Sequence, residues 1–314
     1  MSAPIIVKSE SDRDVESPFE LTNHTAYQGW RRRKLQDYPT SVAALRVEVQ
    51  DINRLSEQEQ QTLVQHCRKT NMVIYSSRTP MRAKLTLQKV CSLFGLNRLD
   101  KNLYADDDGI SALSVSEQQR QFEYIPYSDK SMNWHTDGYY NAVDKKIRAM
   151  VLHCVIPAKS GGGNMLLDHE IVYLLMRDEN PDYIAALMQP DAMTIPANIE
   201  QGVEIRPAQT GPVFSVDPQS GDLHMRYTAR TRSIEWKRDP VVSRAVQYLE
   251  SLLSTDLPYI FRFQLQANEG ILSNNVLHGR DAFSNGESEP EKRLVYRARY
   301  YDRIAGTSAL LTQH

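Results

Sequence analysis

Asn133-Trp134-His135-Thr136-Asp137-Gly138 is the stretch on which the reading of this chain turns. In an extended strand, residues two apart share a side. His135 and Asp137 can therefore reach one metal ion from one strand end, with Gly138 freeing the backbone to turn away. Taken alone, such a pair also describes a histidine hydrogen-bonded to a neighbouring carboxylate in a turn. It gains weight from Asn274-Asn275-Val276-Leu277-His278-Gly279-Arg280-Asp281, far along the chain, where a histidine follows an apolar strand and precedes a turn. Two histidines and a carboxylate form the facial triad of non-haem Fe(II) centres, which leaves coordination positions open. Zinc held by the same ligand set in a hydrolase is the chemical competitor, because residue types alone do not choose the metal.

A third element is the arginine series Arg293, Arg297 and Arg299. Alternation puts all three on one side of a strand, and buried guanidiniums are costly without anionic partners. Interstrand ion pairs would satisfy them. A pocket for carboxylates, which guanidinium grips bidentately, is the sharper account and is favoured for Arg293 and Arg297; either account suits Arg299.

The 314 residues carry 37 Lys+Arg and 39 Asp+Glu, a formal charge of −2, which gives no overall field for gathering nucleic acid. The 41% apolar content is ample for a sizeable core. Three widely spaced cysteines, Cys67, Cys91 and Cys154, make neither a disulfide framework nor a cysteine zinc site, and a reducing cytoplasm is the simplest fit. The first residues lack the basic-then-apolar layout of a signal peptide, and no stretch approaches the ~20 apolar residues that span a bilayer. The basic run Arg31-Arg32-Arg33-Lys34 reads as a solvated face closing a polar, irregular opening.

Element by element, 42–49 reads as a strand and 72–75 as a short buried one. Ser56 opens a helix to about Cys67 with capping-box spacing, and 82–94 reads as a second helix. From about residue 121 short strands dominate, at 122–126, 147–156, 192–199, 212–216, 223–227, 260–265, 270–273 and 294–301. Helices interrupt them at 169–188, with a break at Asn180-Pro181, and at 241–253. This is a mainly β chain with flanking helices, a sandwich or barrel, whose N-terminal portion, 1–120, braces a core of 121–303 within one domain of 1–314. His153 and Cys154 are expected in the core, as is Trp134, which faces away from His135. Asp168 is expected to cap a helix, and Asn274 and Asn275 to fix backbone polar groups at the pocket floor.

Together these motifs resemble the Fe(II)- and 2-oxoglutarate-dependent dioxygenases of the TauD/TfdA superfamily. That family has His-x-Asp, a distal His and then an arginine, places filled in order by His135, Asp137, His278 and Arg293. Ser160-Gly161-Gly162-Gly163-Asn164 resembles its glycine-rich stretch before a polar residue that helps hold 2-oxoglutarate. The WHTDGYY, GGGNMLLDHE, HMRY and NNVLHGRDAF segments look most like the branch containing glutarate hydroxylase, and VLHC at 151–154 is similar to γ-butyrobetaine hydroxylases. Two departures stand out. Asn164 replaces a more usual threonine or serine, and a polar loop at 284–290 lengthens the gap from His278 to Arg293.

The resemblance implies a double-stranded β-helix, a jelly roll of cupin type. It implies Fe(II) on His135, Asp137 and His278, O2 as oxidant, and 2-oxoglutarate as co-substrate on Asn164 and Arg293, with Arg297 able to take the arginine's role or to contact substrate. Hydroxylation of an aliphatic C–H with release of succinate and CO2 follows, and retention of Asp137 sets the chain apart from the related halogenases. Arg226 and Arg230, together with Tyr139 and Tyr140, are candidate contacts to a small anionic or zwitterionic substrate, a carboxylate or a betaine; Arg232 lies in the same arginine group. Neither nucleic acid nor membrane is expected as a partner, and a homo-oligomer is compatible with the family. A metal-dependent hydrolase or a non-catalytic 2-oxoglutarate-binding protein are the competing functions.

Overall fold

The structure is a computed structural model that describes residues 17–81, 83–100, 109–115, 125–230, 234–288 and 291–308. Its frame is a pair of antiparallel sheets. The larger runs Arg46–Val49, Met72–Ser77, Glu269–Ser273, Ala149–Ile156, Leu294–Tyr300 and Ser111–Leu113 across six strands, with only the first pair parallel. The smaller runs Phe261–Phe263, Asn164–Leu167, Leu277–Arg280 and Met132–His135. One apolar cluster joins Met72, Ile74, Ile271 and Val295 of the first sheet to Trp134, Leu166, Leu277 and Phe261 of the second, so the sheets share a core as in a jelly roll.

The larger sheet is buried on both faces, which its side-chain alternation records. Val73, Tyr75, Leu272, Ala298 and Tyr300 point the other way, into a second cluster with Leu63, Cys67, Leu87 and Val90 of the helices Glu57–Thr70 and Lys84–Ser92. Val295 therefore faces inward, and by the same alternation so do Arg297 and Arg299.

Local signals fixed several helix ends. Ser56 and Glu59 form the reciprocal capping box of Glu57–Thr70. Asp168 accepts a hydrogen bond from the Glu170 N–H at the start of His169–Glu179, and Asn180 separates that helix from Pro181–Leu187. Trp134 donates its indole N–H to the Leu253 carbonyl, and the Tyr75 hydroxyl meets His153 Nδ1 at 3.0 Å, so both aromatics are satisfied core residues. Cys67, Cys91 and Cys154 are free and buried.

Other expectations need correcting. Residues 42–49 are not one strand: Val42–Leu45 is a helical turn capped by Ser41, and only Arg46–Val49 is extended. Two alanines and a serine cap outweigh the weak alternation there. The N-terminal portion contributes strands to the larger sheet as well as helices around it. Within the irregular opening lies the helix His24–Leu35, whose buried side is Tyr27, Trp30 and Lys34. The basic run is therefore not simply a solvated face. Lys34 is buried between Asp168 and Glu170, with Nζ 2.6 Å from a carboxylate oxygen of each. The strand expected at 122–126 gives way to a 3-10 turn at Ile125–Tyr127, with 122–124 outside the described residues. Arg232 and Arg82 are also outside them. No helix among the described residues is long and apolar enough to cross a membrane.

Candidate metal centre

His135 ends one strand of the smaller sheet and pairs directly with His278 on the next. Beyond the strand end, Asp137 is held by its own backbone. Asn275 accepts from the Asp137 N–H at 2.8 Å and donates to the carbonyls of Asp137 at 2.9 Å and Ile147 at 2.7 Å. Gly138 then turns with φ +69°, and a Cβ there would lie 2.4 Å from Cγ1 of Ile147, so only glycine lets the chain leave this close to the core. One ligand atom from each of His135, Asp137 and His278 falls within 4.8 Å of the others.

The protonation pattern suits a metal. Nδ1 of His135 meets the Asn133 carbonyl at 2.8 Å, and Nδ1 of His278 meets the Val276 carbonyl at 3.0 Å. A carbonyl only accepts, so Nδ1 carries the proton and each Nε2 keeps its lone pair. Desolvation, with His278 adding to it, pushes His135 down to about 3, and burial lowers His278 as well. Burial alone would raise the Asp137 carboxyl, yet Arg297 and Arg299 hold it well below the ordinary carboxylate range. Asp137 Oδ2 is buried with no hydrogen-bond partner. A buried carboxylate with an unpartnered oxygen, grouped with two neutral imidazoles, is a poor arrangement without a cation and a good one with it. The residues fit a divalent metal.

The arginines divide. Arg297 Nη1 lies 3.6 Å and Arg299 Nη1 3.9 Å from Asp137 Oδ1. Arg299 is further bound by Asp100 and donates to the Tyr140 hydroxyl at 2.8 Å, so it sits in a paired network. Arg293 stands apart: a β-bulge at Leu294/Val295 separates it from the other two. Its guanidinium lies 4.9 Å from the centre of the Phe283 ring, with Nη1 buried and unpartnered. Asn164 is buried on the smaller sheet, opposite both Arg280 and Phe263.

Of the four expected substrate contacts, three gather beside the triad. The Tyr139 ring stands 6.4 Å from His135 and packs edge-on against Tyr140, and Arg230, itself exposed, hydrogen-bonds the Tyr139 side chain. Arg226 has a different task. It is buried, and its guanidinium donates to the carbonyls of Tyr139, Met193 and Gln209, tying three segments together. Burial, together with Arg206, brings it down to about 10. Nothing in the local sequence distinguishes such a tie from a ligand-binding arginine. Asp100, bound to Arg299, carried no sequence signal either.

A family model for the taurine catabolism dioxygenase TauD, TfdA family matches residues 32–299. The chain belongs to the TauD/TfdA family. Among curated relatives, a uridine-5'-phosphate dioxygenase of an Amycolatopsis species is 32% identical over 174 residues, which is 53% of this chain and 60% of that protein. One from a Streptomyces species is 27% identical over 208 residues, covering 62% and 71%. The chain thus matches less than two thirds of the first relative's length. An asparagine oxygenase bound to Fe(II), 2S,3S-3-hydroxyasparagine and succinate shares the fold, with a TM-score of 0.57, 12% identity, and coverage of 92% and 91%. None of these three is a glutarate or γ-butyrobetaine hydroxylase, so they show the TauD/TfdA family and not the expected branch within it.

Proposed function

We propose that this TauD/TfdA protein is a non-haem Fe(II)/2-oxoglutarate-dependent dioxygenase that hydroxylates an aliphatic C–H of a small anionic substrate. The observation that carries the reading is the triad itself: two Nε2 lone pairs and an orphaned Asp137 oxygen converge beside buried arginines. His135, Asp137 and His278 would hold the iron, and Asn164 and Arg293 would hold 2-oxoglutarate, with Arg297 the second candidate for its distal carboxylate. When bound, iron, 2-oxoglutarate and O2 supply the oxidising power for C–H hydroxylation, with succinate and CO2 as by-products.

This chain's own groups do the positioning. The carbonyls of Asn133 and Val276 keep both imidazoles in the metal-binding tautomer, and Asn275 fixes the Asp137 backbone through its N–H and carbonyl. Tyr139, Tyr140 and Arg230 form an aromatic and cationic rim suited to an anion carrying a flat or apolar body. Uridine 5'-phosphate, named for two relatives, is the first anion to test, before dicarboxylates and betaines. We place the activity in one catalytic unit, in a reducing compartment such as the cytoplasm that suits three free buried thiols.

The test is substrate-triggered succinate release by iron-loaded protein across such a panel, beside His135→Ala. Turnover in the native chain and none in the variant is expected. Equal turnover in both would overturn the assignment.

A further inference from the structure

Arg280 has no role in the triad, yet it is only 5% exposed, and its Nε is buried without a partner. It lies two residues beyond His278 on Leu277–Arg280, which puts it on the same face, about 7 Å along the strand from the metal ligand. Across the sheet, His278 stands opposite Leu166 and Arg280 opposite Asn164. Its guanidinium is 4.7 Å from the centre of the Phe283 ring, the ring that Arg293 approaches at 4.9 Å.

Two buried guanidiniums against one phenyl ring are an unusual expense of desolvation. Among the described residues neither forms an ion pair with a carboxylate. Arg280 Nη2 donates to the carbonyls of Ser128 at 2.9 Å and Lys130 at 2.5 Å, which fixes its plane without neutralising its charge. An anion between the two arginines relieves both burdens.

We infer that Arg280 is a second guanidinium in the pocket for the distal carboxylate of 2-oxoglutarate, acting with Arg293 and Asn164. This rests on the dioxygenase reading above. The spacing suits the co-substrate: a five-carbon keto acid held at a metal on His278 would have its far carboxylate about one pair of residues down the same strand, at Arg280 and Asn164. The carbonyls of Ser128 and Lys130 preset the guanidinium, so little ordering is required on binding.

Calorimetry on Mn(II)-loaded protein, comparing 2-oxoglutarate with pyruvate, tests it. Pyruvate has the same chelating head and no distal carboxylate. Arg280→Gln is expected to weaken 2-oxoglutarate about 30-fold and leave pyruvate unchanged, since one charge-assisted contact to the far end is lost. A parallel fall for both ligands, or no fall for either, would overturn the assignment and leave Arg280 as a tie to the Ser128–Lys130 loop. If the glutamine variant does not fold, Arg280→Lys serves, with an expected loss of about 5-fold for 2-oxoglutarate alone; native affinity there overturns the proposal. Native protein that binds no 2-oxoglutarate at all would instead bring down the dioxygenase reading, and this assignment with it.

Discussion

His278 stands directly across from His135 in the antiparallel register of the smaller sheet, with ring centres 4.2 Å apart. Two neutral imidazoles at that distance, each donating Nδ1–H to a carbonyl two residues earlier in its own strand, turn both free nitrogens towards one point. The sheet register, set by pairing between segments more than 140 residues apart, is thus what makes the metal centre. Asp137 completes it from the turn that follows.

Asn275 is the residue that joins this turn to the sheets. It is 2% exposed and has φ +51°, and its amide satisfies three backbone groups. Replacing it with alanine strands those groups in the core. Asn275→Ala is expected to cost about 2–4 kcal/mol of stability, and iron affinity should fall more than stability alone explains. Denaturant melts with an iron-binding titration on the folded fraction check both.

Gly138→Ala tests the turn more locally. The left-handed φ and the close approach of Ile147 each oppose a side chain there. A loss of about 1–3 kcal/mol and weakened iron binding are expected. Pairing it with Ile147→Ala should recover only part of the stability, because the backbone strain remains. Full recovery would mean that crowding alone fixes the glycine.

The buried charges around Lys34 give a pH prediction. Burial alone would raise the Glu170 carboxyl, yet Lys34, followed by His169 and Arg303, holds it down to about 2. A carboxylate depressed in the folded state binds fewer protons there than when unfolded. Its stabilisation is therefore present above the ordinary value near 4.5 and is lost as pH falls towards 2. Urea midpoints should drop across that window, and Lys34→Met should flatten this part of the profile. Lys34 itself is raised by Asp168 and Glu170 against the opposing effect of burial, so its own share persists at neutral pH and fades only in alkali.

Much of the site was legible because its signals are short-range. The i, i+2 spacing of His135 and Asp137, the capping box at Ser56 and the break at Asn180-Pro181 each depend on neighbours in the chain. What escaped depends on distant partners. Lys34 looked like surface because the carboxylates that neutralise it, Asp168 and Glu170, lie more than 130 residues away. Arg226 looked like a ligand contact because a guanidinium bound to three carbonyls has the same sequence as one bound to a substrate. The helix His24–Leu35 escaped because its buried side is built from Tyr, Trp and Lys, which give little apolar periodicity.

The most direct test of the central claim is an anaerobic titration of metal-free protein with Fe(II) and 2-oxoglutarate, followed by visible absorption. A weak charge-transfer band should grow in with both additions and be missing in folded His278→Ala. No band in native protein that is folded and carries bound iron would contradict the account, and would break the link between this triad and 2-oxoglutarate chemistry.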